Sequence, residues 1–318
     1  MSAATLPAMV FSERELIDWL TARAPRGPEV ALGIGHDAAV VRSPAGDGLV
    51  LKSDQTHEGV HFLRGEQPWG KVGRKALARV LSDIGAVGGR PVAALCSLAL
   101  PADVAMADVR ALFDGMLALA AAHGVSLVGG DLARAPSGVA IDVAGLGFLD
   151  GRAPMRRDGA QAGDLLVVTG PLGGSRASHH LEFEPRWRAG VALAASGVVT
   201  SCIDLSDGLA RDLHQLTTAS GVGARVDAAA LPLRPLGAQG GATVAQALHD
   251  GEDFELLFTV APHAFDRLAR VPALAELTPA VIGAITPGPG VRLRAADGRE
   301  EALPRGGFEH RFGAPDDR

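Results

Sequence analysis

The chain has few cysteines and no segment rich in lysine and arginine. Its two cysteines, Cys96 and Cys202, each lie within an apolar run. We therefore expect two buried, small apolar side chains rather than a disulfide framework or a zinc site. The net charge is −6 at pH 7. Because there is no basic segment, nucleic acid is not an expected partner.

Long apolar segments are missing as well. The N-terminal residues lack the basic region and the continuous apolar core that mark a secretory signal. Elsewhere the apolar stretches are too short or too often interrupted to cross a bilayer. We therefore expect a cytoplasmic protein with no membrane partner.

Glycine, by contrast, is abundant. There are 41 glycines among 318 residues, whereas average usage is about 7%. Many of them stand beside acidic residues at the ends of apolar runs, where a backbone without a Cβ can approach a ligand closely. The apolar fraction of 47% and the charged fraction of 21% are ordinary for a globular protein, and this length suits two domains.

Helical and strand patterns alternate irregularly along both halves. Apolar residues at helical spacing predict a helix over residues 71–87, and an alternating pattern predicts a strand over residues 139–148. Residues 125–128 predict a short buried strand that leads into a Gly-Gly-Asp segment. Residues 254–260 alternate in a way that predicts a strand with one buried face.

The composition turns polar and glycine-rich around residues 150–163. We place a domain boundary there, which predicts one domain over residues 1–150 and a second over residues 151–318. Because both halves mix strands and helices in an irregular order, the pattern favours an α+β fold of two mixed α/β domains over one doubly wound sheet.

The stretch of residues 203–208, Ile-Asp-Leu-Ser-Asp-Gly, concentrates two carboxylates and a hydroxyl. Asp204 follows a strand pattern between two apolar neighbours, where an unpaired carboxylate is costly, so we expect it to have a cation partner. Ser206 and Asp207 have two open interpretations. They could bind a ligand, or they could only cap the helix that follows.

Several aspartates repeat this placement at the ends of apolar runs with glycine nearby. The set is Asp37, Asp54, Asp83, Asp131, Asp204 and Asp207. Taken singly, each has an ordinary explanation, such as an ion pair of Asp83 with Arg79 inside one helix. Together they predict one site for hard divalent cations, because several ionised carboxylates cannot crowd together without positive charge between them. The lack of Cys and His ligands argues against zinc or copper.

A nucleotide could be held at such a site mainly through Mg²⁺. The glycine-rich loop at residues 170–175 lacks the Gly-Lys-Ser/Thr ending of a P-loop, so it is only a weak phosphate-loop candidate. Arg157 and the backbone amides near Gly129 and Gly130 could assist in binding phosphates.

These motifs also carry a family resemblance. Gly-Ile-Gly-His-Asp-Ala-Ala, Ser-Asp, His-Phe, Leu-Ser-Asp, Gly-Gly-Asp, Ile-Asp-Leu-Ser-Asp-Gly and Gly-Glu-Asp-Phe-Glu-Leu follow in order at residues 33–39, 53–54, 61–62, 81–83, 129–131, 203–208 and 251–256. In this order the chain resembles the thiamine-monophosphate kinases, which belong to the aminoimidazole-ribonucleotide-synthetase-like ATP-binding superfamily. The likeness extends over roughly residues 12–312.

The resemblance implies ATP-dependent phosphorylation of thiamine monophosphate to thiamine diphosphate. It also implies a homodimer paired through the sheets of the N-terminal domains, with ATP near the domain junction. Mg²⁺ would be held by Asp37, Lys52 (through its carbonyl only), Ser53, Asp54, Asp83, Asp131, Asp204 and Asp207. ATP would contact Gly130, Arg157 and Ser206, and the thiamine phosphate would contact His61 and Glu252.

The chemistry is compatible with such a site. The acceptor is a phosphate monoester whose second pKa is about 6, so it is mostly ionised at neutral pH and needs no strong general base. The main difficulty is to bring two anions together, which metal ions relieve. We therefore expect direct in-line transfer, with no phosphoenzyme and no dominant catalytic base.

Three departures from the family pattern bear on the acceptor more than on the ATP chemistry. Family members usually carry two consecutive aspartates in the first motif, and here His36 replaces the first of them. The segment between Gly174 and Trp187 is shorter than usual. Arg305 stands near the position of an aromatic residue that often stacks on the thiamine, a contact that arginine can also make.

Two alternatives remain at this stage. One is another ATP-dependent enzyme of the superfamily, of the aminoimidazole ribonucleotide synthetase or selenophosphate synthetase type, although the reactive N-terminal cysteine of the latter is missing. The other is a non-catalytic nucleotide-binding relative. The complete set of aspartates argues against it, because buried carboxylates are a liability without metals.

Overall fold

The computed structural model describes residues 11–177, 179–268, 272–275 and 277–312. The described part of the N-terminal half contains three helices and seven strands, in chain order β1 (Phe11–Ser12), α1 (Glu13–Thr21), β2 (Val30–Leu32), β3 (Ala39–Arg42), β4 (Gly48–His57), α2 (Trp69–Ala86), β5 (Arg90–Leu100), α3 (Met106–His123), β6 (Ser126–Arg134) and β7 (Ala140–Phe148). The predicted helix over residues 71–87 and strand over residues 139–148 are confirmed.

The described part of the C-terminal half continues in the same mixed style. Its elements are β8 (Leu165–Val168), α4 (His179–Glu182), α5 (Trp187–Ser196), β9 (Val199–Asp204), α6 (Leu209–Ser220), β10 (Gly223–Asp227), α7 (Val244–His249), β11 (Leu256–Val260), α8 (Pro262–Leu268), α9 (Pro272–Ala275), β12 (Ala280–Thr286), β13 (Gly290–Arg294), β14 (Glu300–Ala302) and β15 (Arg311–Phe312). Two mixed α/β units result, which confirms the predicted fold class.

The first sheet has six strands in the order β2-β3-β4-β7-β5-β6, with β5 and β6 parallel and the other pairs antiparallel. Because side chains alternate along each strand, Val50, Val143 and Cys96 face α2 and α3 and are buried. Within the described residues, nothing covers their neighbours on the opposite face. Leu51 and Leu95 there are 44% and 46% exposed. The sheet therefore has one packed face and one open face.

The second sheet has seven strands in the order β14-β13-β10-β12-β8-β11-β9. Helices cover both of its faces, since α6 packs into one apolar cluster and α5 into another. Every residue of β11 is buried as a result. The expectation of one buried face for residues 254–260 was therefore wrong, because the second face lies under α5 rather than in water.

The Gly-Gly-Asp segment at residues 129–131 lies within a strand, not after one. The strand predicted to be short and buried continues through it, and every residue of β6 except Leu127 is exposed. Gly129, Gly130 and Asp131 therefore lie inside β6 and pair with β5. A Cβ on Gly130 would clash with the backbone of Cys96. Close packing of β6 against β5 therefore requires glycine at position 130, which the neighbouring sequence does not reveal. No helix in the described ranges is both long and apolar enough to span a bilayer.

Helix α2 connects the two halves. Its N-terminal part packs on α3, and its C-terminal part packs on α5, where a Cβ on Gly85 would lie 2.5 Å from the Cα of Trp187. Most of its side chains from Val72 to Ala86 are buried. The approach of the two helices therefore depends on the missing side chain at position 85.

We predict that Gly85→Ala lowers the stability of the protein. The added methyl group has no space without moving the backbone of α5, and overpacking of this kind costs about 1–3 kcal/mol. Thermal unfolding followed by circular dichroism measures the effect. The matched control is Gly241→Ala, where the nearest atom to the added Cβ is 3.9 Å away. Equal midpoints for the two variants would contradict this view of the α2–α5 contact.

Candidate active site

A cleft of about 1070 Å³ opens beside β4, α2 and the C-terminal end of β9. Most of the predicted site residues line it, namely Asp37, Lys52, Ser53, Asp54, His61, Asp83, Arg157, Asp204, Ser206, Asp207, Glu252 and Arg305. The structure thus gathers residues from the two halves of the chain into one concave surface.

Three carboxylates form the centre of the cleft. Asp37 precedes β3 in a turn that Gly35 allows with its φ of 106°. Asp83 lies in the last turns of α2, and Asp204 is the last residue of β9. One oxygen atom from each of the three lies within 4.8 Å of the others, and all three residues are buried. Such a group can hold a metal ion.

Each of the three carboxylates has a side-chain partner that donates a hydrogen bond or carries positive charge. Arg157 makes two contacts with Asp37, at 2.8 and 3.2 Å, and Lys52 Nζ lies 3.1 Å from Asp83 Oδ2. Asp204 accepts a hydrogen bond of 2.8 Å from the hydroxyl of Ser82. The expectation of a cation partner for Asp204 is therefore not met by a direct ion pair, since its side-chain donor in this structure is a neutral hydroxyl.

The ionisation of the three carboxyl groups differs accordingly. Burial opposes ionisation of Asp37, but the Arg157 guanidinium outweighs it and lowers the pKa. Burial and the charges of Asp54 and Asp37 raise the pKa of Asp83 to about 7 despite Lys52. Burial, Asp83 and Asp37 together raise the pKa of Asp204 well above its usual range. The group holds excess negative charge that a proton or a metal ion could relieve.

The helix-capping interpretation of Ser206 is wrong. Helix α6 begins at Leu209, its N-cap is Gly208 with a φ of 112°, and no side chain caps it. Instead the carbonyl of Ser206 accepts a hydrogen bond of 2.7 Å from the backbone N–H of Glu252. Two motifs that lie far apart in sequence are therefore joined by their backbones at the edge of the cleft.

The far end of the cleft contains an ion-pair cluster that sequence reasoning did not single out. Lys75 is fully buried, and its Nζ lies 2.5 Å from Glu252 Oε1 and 2.9 Å from His180 Nδ1. Burial opposes ionisation of Glu252, but its bonds with His180 and Lys75 lower its pKa to about 2. The sequence did contain a signal for this cluster, namely a lysine among the core residues of an apolar helix face. A buried ammonium requires a partner, so Lys75 predicts a nearby acidic side chain.

Three consecutive backbone amides of the glycine-rich loop at residues 170–175, those of residues 172–174, already have partners within the chain. The backbone N–H of Gly173 donates to Asp253, at 3.0 and 3.1 Å, and that of Gly174 donates to Asp250 at 2.9 Å. Arg234 also contacts Asp253 at 3.0 Å. Asp253 of the Gly-Glu-Asp motif and the preceding Asp250 therefore occupy two of the donors that a phosphate would need, and we assign this loop a structural role.

Gly130 and Asp131 do not line the cleft within this chain. Strand β6 is three strands away from β4, which corresponds to about 14 Å across the sheet. Strand register also pairs Asp131 with Ser97, whose row lies on the open face, whereas Asp54 faces α2. Within a single chain, Gly130 and Asp131 therefore cannot fill the roles predicted for them, and those roles would need a second copy of the chain.

His36 and Arg305, two of the departures from the family pattern, both line the cleft. The backbone N–H of Arg157 donates to His36 Nδ1 at 3.3 Å, so His36 supports the residue that pairs with Asp37. The guanidinium of Arg305 donates to the hydroxyl of Thr218 at 2.9 Å. The predicted contact of Arg305 with a substrate stays a prediction.

The chain is similar to known proteins along most of its length. Family models for AIR synthase related proteins match the chain at residues 35–149 for the N-terminal domain and residues 161–296 for the C-terminal domain. A thiamine-monophosphate kinase from Rhodopirellula baltica is 38% identical over 262 residues, which cover 79% of this chain and 82% of the relative. The chain belongs to the thiamine-monophosphate kinase family. A second family member, from Synechococcus elongatus, is 34% identical over 87% of this chain and 90% of its own.

Solved structures extend the comparison to three dimensions. A structure described as AaThiL complexed with AMPPCP and TMP is similar with a TM-score of 0.77 and 30% identity, covering 94% of this chain and 97% of its own. A thiamine-monophosphate kinase from Stenotrophomonas maltophilia has a TM-score of 0.68 and 33% identity over 92% and 98%. The hydrogenase maturation protein HypE, at 20% identity and a TM-score of 0.66, shares the fold.

We predict that Asp204→Asn stabilises the protein in the absence of divalent ions, by an amount that depends on pH. A raised folded-state pKa means that wild-type stability is lost as the pH rises above about 4, the unfolded value, toward that raised pKa. Asn keeps an acceptor for Ser82 but carries no charge. The variant's unfolding midpoint in EDTA should therefore match the wild type near pH 4 and exceed it by a few degrees near pH 8.

The control for this comparison is Asp114→Asn, an exposed change on α3. Its midpoint should follow that of the wild type at every pH. A variant Asp204→Asn that is less stable than the wild type at pH 8 would show that the buried carboxylate is not a source of repulsion.

Proposed function

We propose that this protein transfers the γ-phosphoryl group of ATP to thiamine monophosphate, producing thiamine diphosphate and ADP. The observation that carries the proposal is the cleft itself, where the carboxylates of Asp37, Asp83 and Asp204 converge. Its supports are the family membership of the chain and its similarity to a relative whose structure contains AMPPCP and TMP.

We propose that Mg²⁺ completes this site. The donors are oxygen atoms of buried aspartates, which suit a hard divalent cation. The residues that would hold it are Asp37, Ser53, Asp54, Asp83, Asp131, Asp204, Asp207 and the carbonyl of Lys52. When bound, Mg²⁺ would neutralise charge on the phosphates of the two anionic reactants.

The remaining residues would position the two substrates. Arg157, Ser206 and Gly130 would contact ATP, and His61, Glu252 and Arg305 would contact the thiamine phosphate. Lys75 and His180 hold the Glu252 carboxylate ionised and fixed. A phosphate acceptor with a second pKa of about 6 is already ionised at neutral pH, so none of these residues needs to act as a general base.

We also propose a homodimer in which the open faces of the N-terminal sheets meet. Half-exposed leucines at positions 51 and 95 lie on that face, and nothing in the described chain covers them. Exposed apolar area on a sheet favours association. A second copy on this face would also bring its own Gly130 and Asp131 toward the Ser53 side of the cleft, which their places within one chain do not allow.

We predict that Asp54→Asn abolishes most of the turnover without unfolding the protein. Asp54 lines the cleft, and loss of its charge removes a ligand of the Mg²⁺ that would hold the reacting phosphates, which we expect to cost roughly 10²-fold or more in kcat. The measurement is thiamine diphosphate formed from ATP, Mg²⁺ and thiamine monophosphate, resolved by chromatography, with Asp114→Asn as the control.

Equimolar thiamine diphosphate and ADP from the wild-type protein are the expected products. Mg²⁺-dependent ATP binding without product would reject thiamine monophosphate as the acceptor and favour another ATP-dependent enzyme of the superfamily. Full activity of Asp54→Asn would reject the proposed role of this residue.

The dimer proposal predicts that Leu95→Glu yields a monomer, because a buried carboxylate at the centre of the interface is unpaired. Light scattering after size-exclusion chromatography gives the mass. Leu117→Glu is the matched control, since Leu117 is 47% exposed on α3, away from the open face. A dimeric Leu95→Glu protein would contradict the proposed interface.

Complementation tests whether Asp131 acts from the second copy. A doubly tagged heterodimer of Asp131→Asn and Asp204→Asn chains then has one intact site of two, and we predict about half of wild-type activity. Each homodimer alone should be inactive. An inactive heterodimer would place Asp131 in the site of its own chain, and an active Asp131→Asn homodimer would place it outside the reaction.

A further inference from the structure

Four charged side chains in the cleft form two ion pairs between the same strand and the same helix, and we call this group the charge quartet. It consists of Lys52 and Asp54 on β4 and of Arg79 and Asp83 on α2. Lys52 Nζ lies 3.1 Å from Asp83 Oδ2, and Arg79 Nη2 lies 3.0 Å from Asp54 Oδ1. Each element thus contributes one cation and one carboxylate, and each pair joins the strand to the helix.

The quartet follows from the two periodicities of secondary structure. Residues 52 and 54 are two apart on a strand and share one face, and residues 79 and 83 are four apart on a helix and share another. Those faces meet because Gly145, beside Lys52 in the sheet, leaves space for Val80 and Ile84 of α2. The four side chains are only 10% to 24% exposed, so water screens them weakly.

Two of the carboxylates proposed to hold Mg²⁺ are therefore neutralised by the chain itself. Asp37 is a third such case, through Arg157. The two quartet cations differ in how they are held. Arg79 also donates to the carbonyl of Gln55 at 3.1 Å, which anchors its guanidinium at the strand. Lys52 carries a compact ammonium, the protein group closest to a metal ion in its charge distribution.

We propose that the Lys52 ammonium is a built-in counter-ion that takes the place of one divalent cation at this site. This proposal rests on the proposed function, because it assumes that the aspartates bind divalent ions. A dication within about 4 Å of an ammonium is strongly repelled at low dielectric. The chain therefore binds one fewer ion with its nucleotide than the same cleft would bind without this charge.

The test counts bound Mn²⁺ per chain by electron paramagnetic resonance, in the presence of a saturating non-hydrolysable ATP analogue. We expect Lys52→Ser to bind one more Mn²⁺ than the wild type, or to bind its weakest ion at least about tenfold more tightly. Lys52→Arg keeps the charge and should retain the wild-type count. Lys71→Ser removes an exposed ion pair with Glu182 outside the cleft and should also leave the count unchanged.

The outcomes separate two failures. If the wild-type protein binds no Mn²⁺ with the analogue, the cation site of the proposed function is wrong. If it binds Mn²⁺ but Lys52→Ser shows the same count and affinities, only the counter-ion role of Lys52 is overturned. Should Lys52→Ser fail to fold, Lys52→Met keeps the length of the side chain without its charge and carries the same expectation.

Discussion

Mutual repulsion among buried carboxylates is the constraint on which this cleft depends. The oxygen atoms of Asp37, Asp83 and Asp204 lie within 4.8 Å of one another in a region largely closed to water. Ionised groups at that distance raise the free energy of the folded state unless positive charge or hydrogen bonds offset it. Arg157, Lys52 and other donors reduce that repulsion, while burial and the neighbouring carboxylates still raise the pKa of Asp83 and of Asp204.

Helix α2 distributes these charges. Along one helix it carries the buried ammonium of Lys75, which fixes Glu252, and then Arg79, Ser82 and Asp83 at the carboxylate centre. The same helix packs on the N-terminal sheet and on α5 of the C-terminal half. A helix that holds both halves together can therefore also hold the two ends of the cleft at a constant distance, which suits a reaction between two phosphates.

Much of the site could be predicted from local patterns. Aspartates at the ends of apolar runs and the order of their motifs pointed to residues that line one cleft, and the long helix at residues 69–86 followed from its apolar spacing. Other predictions failed where a residue binds a partner that is far away in the sequence. The Gly173 and Gly174 amides bind acidic side chains about 80 positions away, and Ser206 pairs with Glu252 through its backbone instead of capping α6.

The sequence by itself determined the residue types, the two mixed domains and the family, because these depend on composition, periodicity and motif order. Only the tertiary structure decided which charges meet. Register and face placed Asp131 on the open side of the sheet, away from Asp54, and brought Lys52 to Asp83. Contacts of this kind depend on how strand and helix faces are oriented after packing. A register shift of one residue would move every side chain of a strand to the opposite face of the sheet and break these contacts.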